Sequence, residues 1–274
     1  MGAQPGRPAG AVPPLIFPVV GSVSYSDDFG DARGQGRHDG NDLLAAKRSP
    51  AVAAEAGTVT LWTTSARAGC MLYLRGASGT TYLYVHLNND LGEANDNRGG
   101  CVAGVAYAKG LVDGARVAAG QQIGYVGDSG DADGAAAHLH FEVHPGDGAA
   151  VSPYRFLRAA RRLLFAARPG STFTLALRGT VATSLAGHLS LKVDSLRSWP
   201  GGVRVAKVER TVELQVPAAT IVTDPLGALL ATARLRSLEP GQSATAWTAP
   251  APATLQARLG LPLTLATERV VLAG

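Results

Sequence analysis

Two histidines stand one residue apart in the β-prone stretch His138-Leu139-His140-Phe141-Glu142-Val143. Successive side chains of a strand point to opposite faces, so His138 and His140 share one face and lie about 6.6 Å apart along the chain. At this spacing one imidazole can bind a metal ion while the other reaches a water on that metal. An isolated pair of this kind is more often two polar residues on the open face of an edge strand. The functional interpretation therefore needs partners elsewhere in the chain.

Such partners lie upstream, in His38-Asp39-Gly40-Asn41-Asp42. An imidazole and a carboxylate stand four residues apart there, and the glycines around them favour a loop that enters a strand over a helix. Neutral imidazole and carboxylate are both ligands of Zn²⁺. His38, Asp42 and one histidine of the downstream pair supply three protein ligands. The fourth tetrahedral position is then left for water, which distinguishes a catalytic zinc site from a structural one.

A fifth candidate, His86, lies near the end of Tyr82-Leu83-Tyr84-Val85-His86-Leu87, where aromatic and aliphatic side chains alternate as they do in strands. The predicted sheet is antiparallel, because such a sheet can leave one face open to solvent for a groove that collects the metal ligands. Its predicted strands cover residues 51–60, 71–75, 81–86, 122–125 and 138–143.

Five motifs follow one another over residues 15–157. They are His38-x-Gly40-x-Asp42, Pro50-Ala51-Val52-Ala53-Ala54-Glu55-Ala56-Gly57-Thr58-Val59, Tyr84-Val85-His86-Leu87, Gly120-Gln121-Gln122-Ile123-Gly124-Tyr125-Val126-Gly127-Asp128-Ser129-Gly130 and His138-Leu139-His140-Phe141-Glu142-Val143. In this order they resemble the lysostaphin/LytM-type zinc metallopeptidases, the M23 family of peptidoglycan hydrolases. The order of five motifs is far more specific than any one of them.

The resemblance implies a role for each of five residues. One zinc ion would be bound by His38, Asp42 and His140. His86 and His138 would be the catalytic histidines that face the attacking water and the scissile carbonyl. None of these positions is replaced, which argues against an inactive relative.

Other residues near the motifs are expected to be supporting ones. Glu142 falls on the same strand face as His140, and we expect it to accept a hydrogen bond from a histidine. His144 and His188 have no partner at metal-ligand spacing and are predicted to be structural. The sequence departs from the family pattern at residues 88–119, which are longer and richer in glycine than a hairpin needs. The sequence therefore does not predict the shape of the groove.

Composition describes a protein that can bury a core. Of its 274 residues, 46% are hydrophobic and 17% are charged, and 34 glycines with 16 prolines suit short strands joined by turns. The formal net charge of +4 favours weak attraction to anionic surfaces such as a bacterial cell wall. No basic run interleaved with aromatic residues occurs in the first domain, so nucleic acid is not an expected partner.

The location follows from the resemblance. The apolar residues 12–20 contain three prolines, so they predict neither a transmembrane helix nor a signal-peptide core. A wall hydrolase must be exported, so we expect a secreted, periplasmic or wall-associated protein whose leader has been removed; release of a prophage enzyme by lysis is the alternative. If exported, Cys70 and Cys101 are expected to form a disulfide rather than stay as buried thiols.

Four segments are predicted. Residues 1–14 are a disordered N-terminal segment, and residues 15–152 are the M23-like peptidase domain. Residues 153–170 are a basic linker helix, because apolar residues recur there at helical spacing between arginines. Residues 171–274 form a smaller all-β domain, a barrel or a sandwich and possible OB-fold relative, with predicted strands at 172–177, 188–193, 203–208, 211–216, 220–222, 244–247 and 269–272.

Three functions remain open at this point. The first is a zinc endopeptidase that cuts stem peptides or cross-bridges of peptidoglycan. The alternative is a non-catalytic wall-binding or hydrolase-activating module, whose mark would be a replaced metal ligand. In the third, the C-terminal domain binds the target and the peptidase is less selective. The sequence leaves the scissile bond and the oligomeric state open.

Overall fold

The structure, a computed structural model, describes residues 11–34, 36–185, 187–201, 203–231, 235, 238–262 and 264–272. The chain divides into two compact units, Met1–Arg162 and Leu163–Gly274. Most of the predicted disordered segment, residues 1–10, lies outside the described residues. Among the described residues, no helix has the length and hydropathy of a membrane span.

The first unit is built from short strands and one short helix, α1 (Tyr154–Ala159). Its strands are β1 (Val23–Ser24), β2 (Ala32–Arg33), β3 (Gly36–Arg37), β4 (Asn41–Ala45), β5 (Pro50–Val52), β6 (Gly57–Ser65), β7 (Gly69–Gly76), β8 (Thr81–Leu87), β9 (Arg116–Val117), β10 (Gln122–Tyr125) and β11 (His138–His144).

The main sheet of this unit has the order β1-β4-β11-β8-β7-β6-β9, and the pairs along it are antiparallel. β11 alternates as its sequence predicts: Leu139, Phe141 and Val143 are fully buried, and the histidines between them are only partly buried. The buried face belongs to one core with residues of the small β5–β10 sheet, and the hydroxyl of Tyr84 ties the two by donating to the carbonyl of Val52. The prediction of an antiparallel sheet with one open face is confirmed.

The predicted strand over residues 51–60 is wrong in one respect. It is two strands, β5 and β6, which belong to different sheets and are separated by a bend at residues 54–56. The carboxylate of Glu55 holds this bend, because it accepts hydrogen bonds from the backbone N–H of Ser78 and from the hydroxyl of Tyr82. Such contacts over more than twenty residues leave no trace in local strand pattern.

The predicted helix over residues 153–170 is also wrong beyond its first turns. Only α1 is helical, and the chain leaves it at Ala160, whose backbone is extended. Leu163 and Leu164, which suggested a longer helix, are instead buried in the second unit. There, Leu164 donates its N–H to the carbonyl of Arg258, and the ring of Phe165 packs 4.5 Å from that of Phe173. Tertiary burial outweighs helical spacing in this segment.

Cys70 and Cys101 form a disulfide, as expected for an exported protein. Cys70 lies on β7 directly opposite Leu87 of β8, the residue after His86. The disulfide therefore fastens the long connection after β8 beside the strand end that carries His86.

The second unit is a closed barrel. Its elements are β12 (Thr172–Leu185), β13 (His188–Trp199), β14 (Arg204–Gln215), β15 (Ile221–Thr223), β16 (Leu229–Leu230), β17 (Ser243–Thr248), β18 (Ala251–Pro252), α2 (Leu255–Leu259) and β19 (Leu265–Leu272).

Within the described part of this unit, β12, β13, β14, β19 and β17 pair in a ring, which β19 closes by pairing with β14 in parallel and with β17 antiparallel. The barrel alternative of the prediction is confirmed, and the ring has the strand number of an OB-fold. The two strands predicted at 203–208 and 211–216 are one strand, β14. Lys207 and Glu209 have left-handed backbone within this strand. The alternation of the sequence is interrupted at the same place, which is why it predicted two strands.

Removal of the disulfide should weaken the first unit. Closing a loop with a sequence separation of 31 stabilises the folded state by about 3 to 4 kcal/mol through the unfolded chain. We expect the Cys70→Ser/Cys101→Ser variant to unfold at a lower denaturant concentration than the oxidised wild type, and the reduced wild type to match the variant. Two titratable thiols in the non-reduced native protein would contradict the assignment.

Candidate metal and catalytic site

Strand register brings the site together. β4 and β11 pair so that Asp42 lies directly opposite His140 and Leu44 opposite His138. Residues opposite each other in adjacent strands project on the same face, so the carboxylate and the imidazole meet there. His38 lies just before β4, in a loop whose backbone is fixed by its N–H donating to Asp31 and its carbonyl accepting from Gly30.

Three ligand atoms converge at this point. The distance from His38 Nε2 to Asp42 Oδ1 is 3.0 Å, from His38 Nε2 to His140 Nδ1 is 2.9 Å, and from His140 Nδ1 to Asp42 Oδ1 is 3.1 Å. Bonds of about 2.0 to 2.1 Å in a tetrahedral zinc site place ligand atoms about 3.3 Å apart. The triangle therefore needs to open by only a few tenths of an ångström to hold a metal ion. Among the described residues, this is the group whose donors lie close enough for that.

The hydrogen bonds around the two imidazoles fit the same conclusion. His38 Nδ1 lies 2.9 Å from the carbonyl oxygen of Asp28, so that nitrogen donates and Nε2 keeps its lone pair for a metal. Arg33 Nη2 also lies 3.1 Å from His38 Nδ1, but it has the carboxylates of Asp42 and Asp28 as partners, so the carbonyl decides the tautomer. At His140, Nε2 faces Glu142 at 3.0 Å, which leaves Nδ1 toward the metal position.

The two oxygens of Asp42 have separate partners. Oδ1 faces both ligand histidines, and Oδ2 accepts a hydrogen bond from Arg33 at 2.8 Å. Burial alone would raise the pKa of Asp42, but its contacts with the rings of His140 and His38 lower it well below its ordinary value. Asp42 is therefore a carboxylate at neutral pH, as a metal ligand must be.

Without a metal, His140 is a cation held between two carboxylates. Burial alone would lower its pKa, but hydrogen bonds to Asp42 and Glu142 raise it to about 9. A metal ion that binds Nδ1 must displace the proton there, so metal affinity should rise with pH over the neutral range.

The remaining two histidines stand beside the ligands. The His86 ring centroid lies 5.1 Å from that of His138 and 6.0 Å from that of His140. His86 Nδ1 donates to the carbonyl of Ser129 at 2.8 Å, and His138 Nδ1 donates to the carbonyl of Ala136 at 2.9 Å. In the neutral rings both Nε2 atoms therefore carry a lone pair, and that of His138 is 3.8 Å from Asp42 Oδ1.

His86 is held in an unusual state. Its φ of 59° is left-handed, a conformation that costs free energy in a residue other than glycine and is often found at functional positions. Burial lowers its pKa to about 4, although the hydrogen bond to the Ser129 carbonyl opposes this. At neutral pH the ring is uncharged and its Nε2 can accept a proton.

The five histidine and aspartate side chains line a groove of about 550 Å³ on the open face of the sheet. Its floor contains Val85 on β8, the strand next to β11, and Met71 on β7, the strand after that. Trp62 lies opposite Met71 across β6 and β7, beside this floor, and its ring centroid lies 6.1 Å from that of Tyr73. Other lining residues come from the β2–β3 hairpin and from the loop before β11: Arg33, Gly34, Arg37, Asp131, Ala132 and Ala135.

The structure thus brings together all five residues that the sequence singles out, and Glu142 accepts from a histidine as expected. Sequence reasoning missed Arg33, the Asp28 carbonyl and the Ser129 carbonyl. Backbone acceptors carry no residue signature, and Arg33 lies in a glycine-rich loop whose path the pattern does not predict. Of the two histidines with no predicted partner, His144 contacts Glu142 at 2.6 Å, which the sequence did not indicate.

Fold and site together define a protein in which three side chains able to bind a metal ion meet in a groove on the open face of an antiparallel sheet. Residues 36–153 match the model of peptidase family M23, so this part of the chain is similar to that family. The chain is 30% identical over 157 residues to the L-Ala–D-Glu endopeptidase of Bacillus subtilis (strain 168). That match covers 53% of this chain and 43% of the relative, so the chain spans less than half of the relative's length.

Two solved structures are also similar to the chain. The catalytic domain of the antimicrobial peptidase lysostaphin from Staphylococcus simulans is 22% identical, with a TM-score of 0.39 and coverage of 50% of this chain and 92% of that domain. The catalytic domain of the prophage-encoded M23 protein EnpA from Enterococcus faecalis is 24% identical, with a TM-score of 0.35 and coverage of 53% and 95%.

Replacement of His86 should change how stability depends on pH. The unfolded residue takes up a proton near its ordinary pKa of 6.5 and the folded one near 4, so the unfolded state is favoured as pH falls between these values. We expect the free energy of unfolding of the metal-free protein to fall less steeply in His86→Gln over this interval. Denaturant titrations at several pH values measure it, with His188→Gln in the second unit as the control. An unchanged slope in His86→Gln would contradict the buried neutral state.

Proposed function

We propose that the protein is a zinc-dependent endopeptidase that hydrolyses peptide bonds in bacterial peptidoglycan. One observation carries the proposal. Three ligand lone pairs, from His38, Asp42 and His140, meet at one point, and the Nε2 atoms of His86 and His138 lie beside it in the same groove. Three ligands with two uncoordinated bases suit hydrolysis better than a structural metal site, which would use four protein ligands.

The ligand set suits zinc. Two imidazole nitrogens and one carboxylate oxygen are common zinc ligands, and both imidazoles are oriented by hydrogen-bond acceptors on their other nitrogen. When bound, zinc lowers the pKa of a coordinated water to about 7 and polarises a carbonyl group. His38, Asp42 and His140 would hold the ion.

The two other histidines supply the acid–base chemistry. His86 and His138 each donate Nδ1–H to a backbone carbonyl, which fixes the ring and leaves Nε2 as the acceptor. One Nε2 takes the proton of the attacking water. Once protonated, it is a donor and can pass that proton to the leaving amine. The other ring would donate to the oxygen of the scissile carbonyl from Nε2 only in its imidazolium form, in which both nitrogens carry protons.

The groove favours an extended peptide. Val85, Met71 and Trp62 lie on β8, β7 and β6, and neighbouring strands are about 4.8 Å apart. The floor from β11 to Trp62 is thus about 14 Å long, or roughly four residues of extended chain. The Bacillus subtilis relative is named for the L-Ala–D-Glu bond, and both a stem peptide and a cross-bridge are candidate substrates for this chain.

The proposed place of action is the cell wall outside the cytoplasm. The Cys70–Cys101 disulfide supports it, because disulfides persist in oxidising compartments and are rare in the cytosol. The second candidate function, a non-catalytic wall-binding or activating module, is less favoured, because every member of the histidine and aspartate set is in place.

The His138→Ala variant should lose cleavage activity but not its bound metal. We expect the wild type to bind one equivalent of zinc and to release peptides from purified peptidoglycan. His138→Ala should keep the zinc and lose cleavage by a factor of about 10² to 10⁴, the usual contribution of a general acid–base residue. Metal analysis and mass spectrometry of the products measure both, with His188→Ala as the control. Zinc without cleavage of several wall types in the wild type would favour the non-catalytic function.

Truncation of Trp62 should weaken substrate binding more than the chemical step. Its side chain is 45% exposed and lies opposite Met71, which lines the groove, so it can contact a bound chain without touching the metal ligands. We expect Trp62→Ala to raise KM about tenfold with kcat within a factor of two or three. Val112→Ala, which removes an exposed apolar side chain outside the strands of the main sheet, is the control. A fall in kcat at unchanged KM would contradict the binding role.

A further inference from the structure

We infer that Glu142 and His144 are positioning residues, which orient the ligand His140 through a hydrogen-bond chain that ends at the carbonyl of Gly148. The inference rests on the metal site of the proposed function. The chain runs from His140 Nε2 to Glu142 Oε1 at 3.0 Å, from Glu142 Oε2 to His144 Nε2 at 2.6 Å, and from His144 Nδ1 to the Gly148 oxygen at 2.9 Å.

The direction of each bond follows from the atoms that can only accept. The Gly148 carbonyl and the ionised Glu142 carboxylate have no proton to give. His144 must then donate from both ring nitrogens, so it is an imidazolium. His140 likewise donates from Nε2, which leaves its Nδ1 lone pair for the metal.

The fold brings these groups together in a simple way. Residues 140, 142 and 144 alternate along β11 and share the open face of the sheet. After the strand, the chain turns at Pro145–Asp147, where Gly146 and Asp147 have left-handed φ values of 62° and 61°. This turn carries the Gly148 carbonyl back to His144.

The charges of these side chains give the hydrogen-bond chain a second function. The side chain of Glu142 is only 14% exposed, and its ion-pair partners among the described residues are His140 and His144. Without a donor at residue 144, one oxygen of Glu142 would lose its partner and the carboxylate could turn away from His140. The ring of His140 would then lose the acceptor that fixes its tautomer.

Other charged groups face the outer end of the chain but do not replace His144. Asp147 lies in the turn and pairs with Arg75 at 3.1 Å, with both side chains more than half exposed. This pair anchors the turn to β7. It offers Glu142 no donor, so the link from Glu142 to Gly148 depends on His144.

Two substitutions at His144 test the inference without touching a metal ligand. His144→Leu removes both donors, and His144→Arg keeps a cation with several N–H groups. We expect His144→Leu to weaken zinc binding by a factor of about 10 to 100, the usual effect of losing such a partner, and His144→Arg to restore most of it. Chelator competition measures the affinity, and the visible spectrum of the Co²⁺-substituted protein reports ligand geometry, which should shift in His144→Leu.

Controls separate positioning from stability and from the proposed function. His188→Leu is the matched control, and the unfolding midpoint of each variant checks its fold; if His144→Leu does not fold, His144→Met, which also lacks an N–H donor, takes its place. Wild-type zinc affinity and an unchanged cobalt spectrum in the folded variant would overturn the inference while leaving the proposed function intact. A wild type that binds no zinc would overturn both.

Discussion

The site depends on the register between β4 and β11. That pairing sets Asp42 opposite His140 and at the same time buries Leu43, Leu139 and Phe141 on the other face. A shift of one residue would turn each buried side chain to the open face and each ligand into the core. The hydrophobic core therefore enforces the register, and the register places the ligands. Stability and metal binding are specified by the same alternation.

Hydrogen-bond acceptors orient the side chains that strand register brings together. Each histidine of the site gives one ring N–H to an oxygen, whether a backbone carbonyl or the carboxylate of Glu142, and so presents its other nitrogen to the groove. A free imidazole can exist as either tautomer, and rotation about its side chain exchanges its edges. Fixing both in advance lowers the cost of assembling the site around a metal and a substrate.

Much of this arrangement could be predicted from the sequence, because alternation in strands is a local property. This alternation predicted the shared face of His138 and His140, and the order of the motifs indicated the family. The long-range parts had no local signal. Glu55 ends a predicted strand by bonding to Ser78, and Leu164 is buried in the barrel unit where helical spacing had predicted a helix. The catalytic and metal-binding roles remain predictions of the sequence, now with a geometry that supports them.

The central claim is that His38, Asp42 and His140 form the metal site while His86 and His138 stay uncoordinated. X-ray absorption at the zinc edge of the loaded wild-type protein tests it most directly. We expect four nitrogen and oxygen neighbours at about 2.0 to 2.1 Å, with the multiple-scattering signal of two imidazoles. The spectrum should be unchanged in His138→Ala. A signal from three or more imidazoles, or one that loses an imidazole in His138→Ala, would contradict the claim.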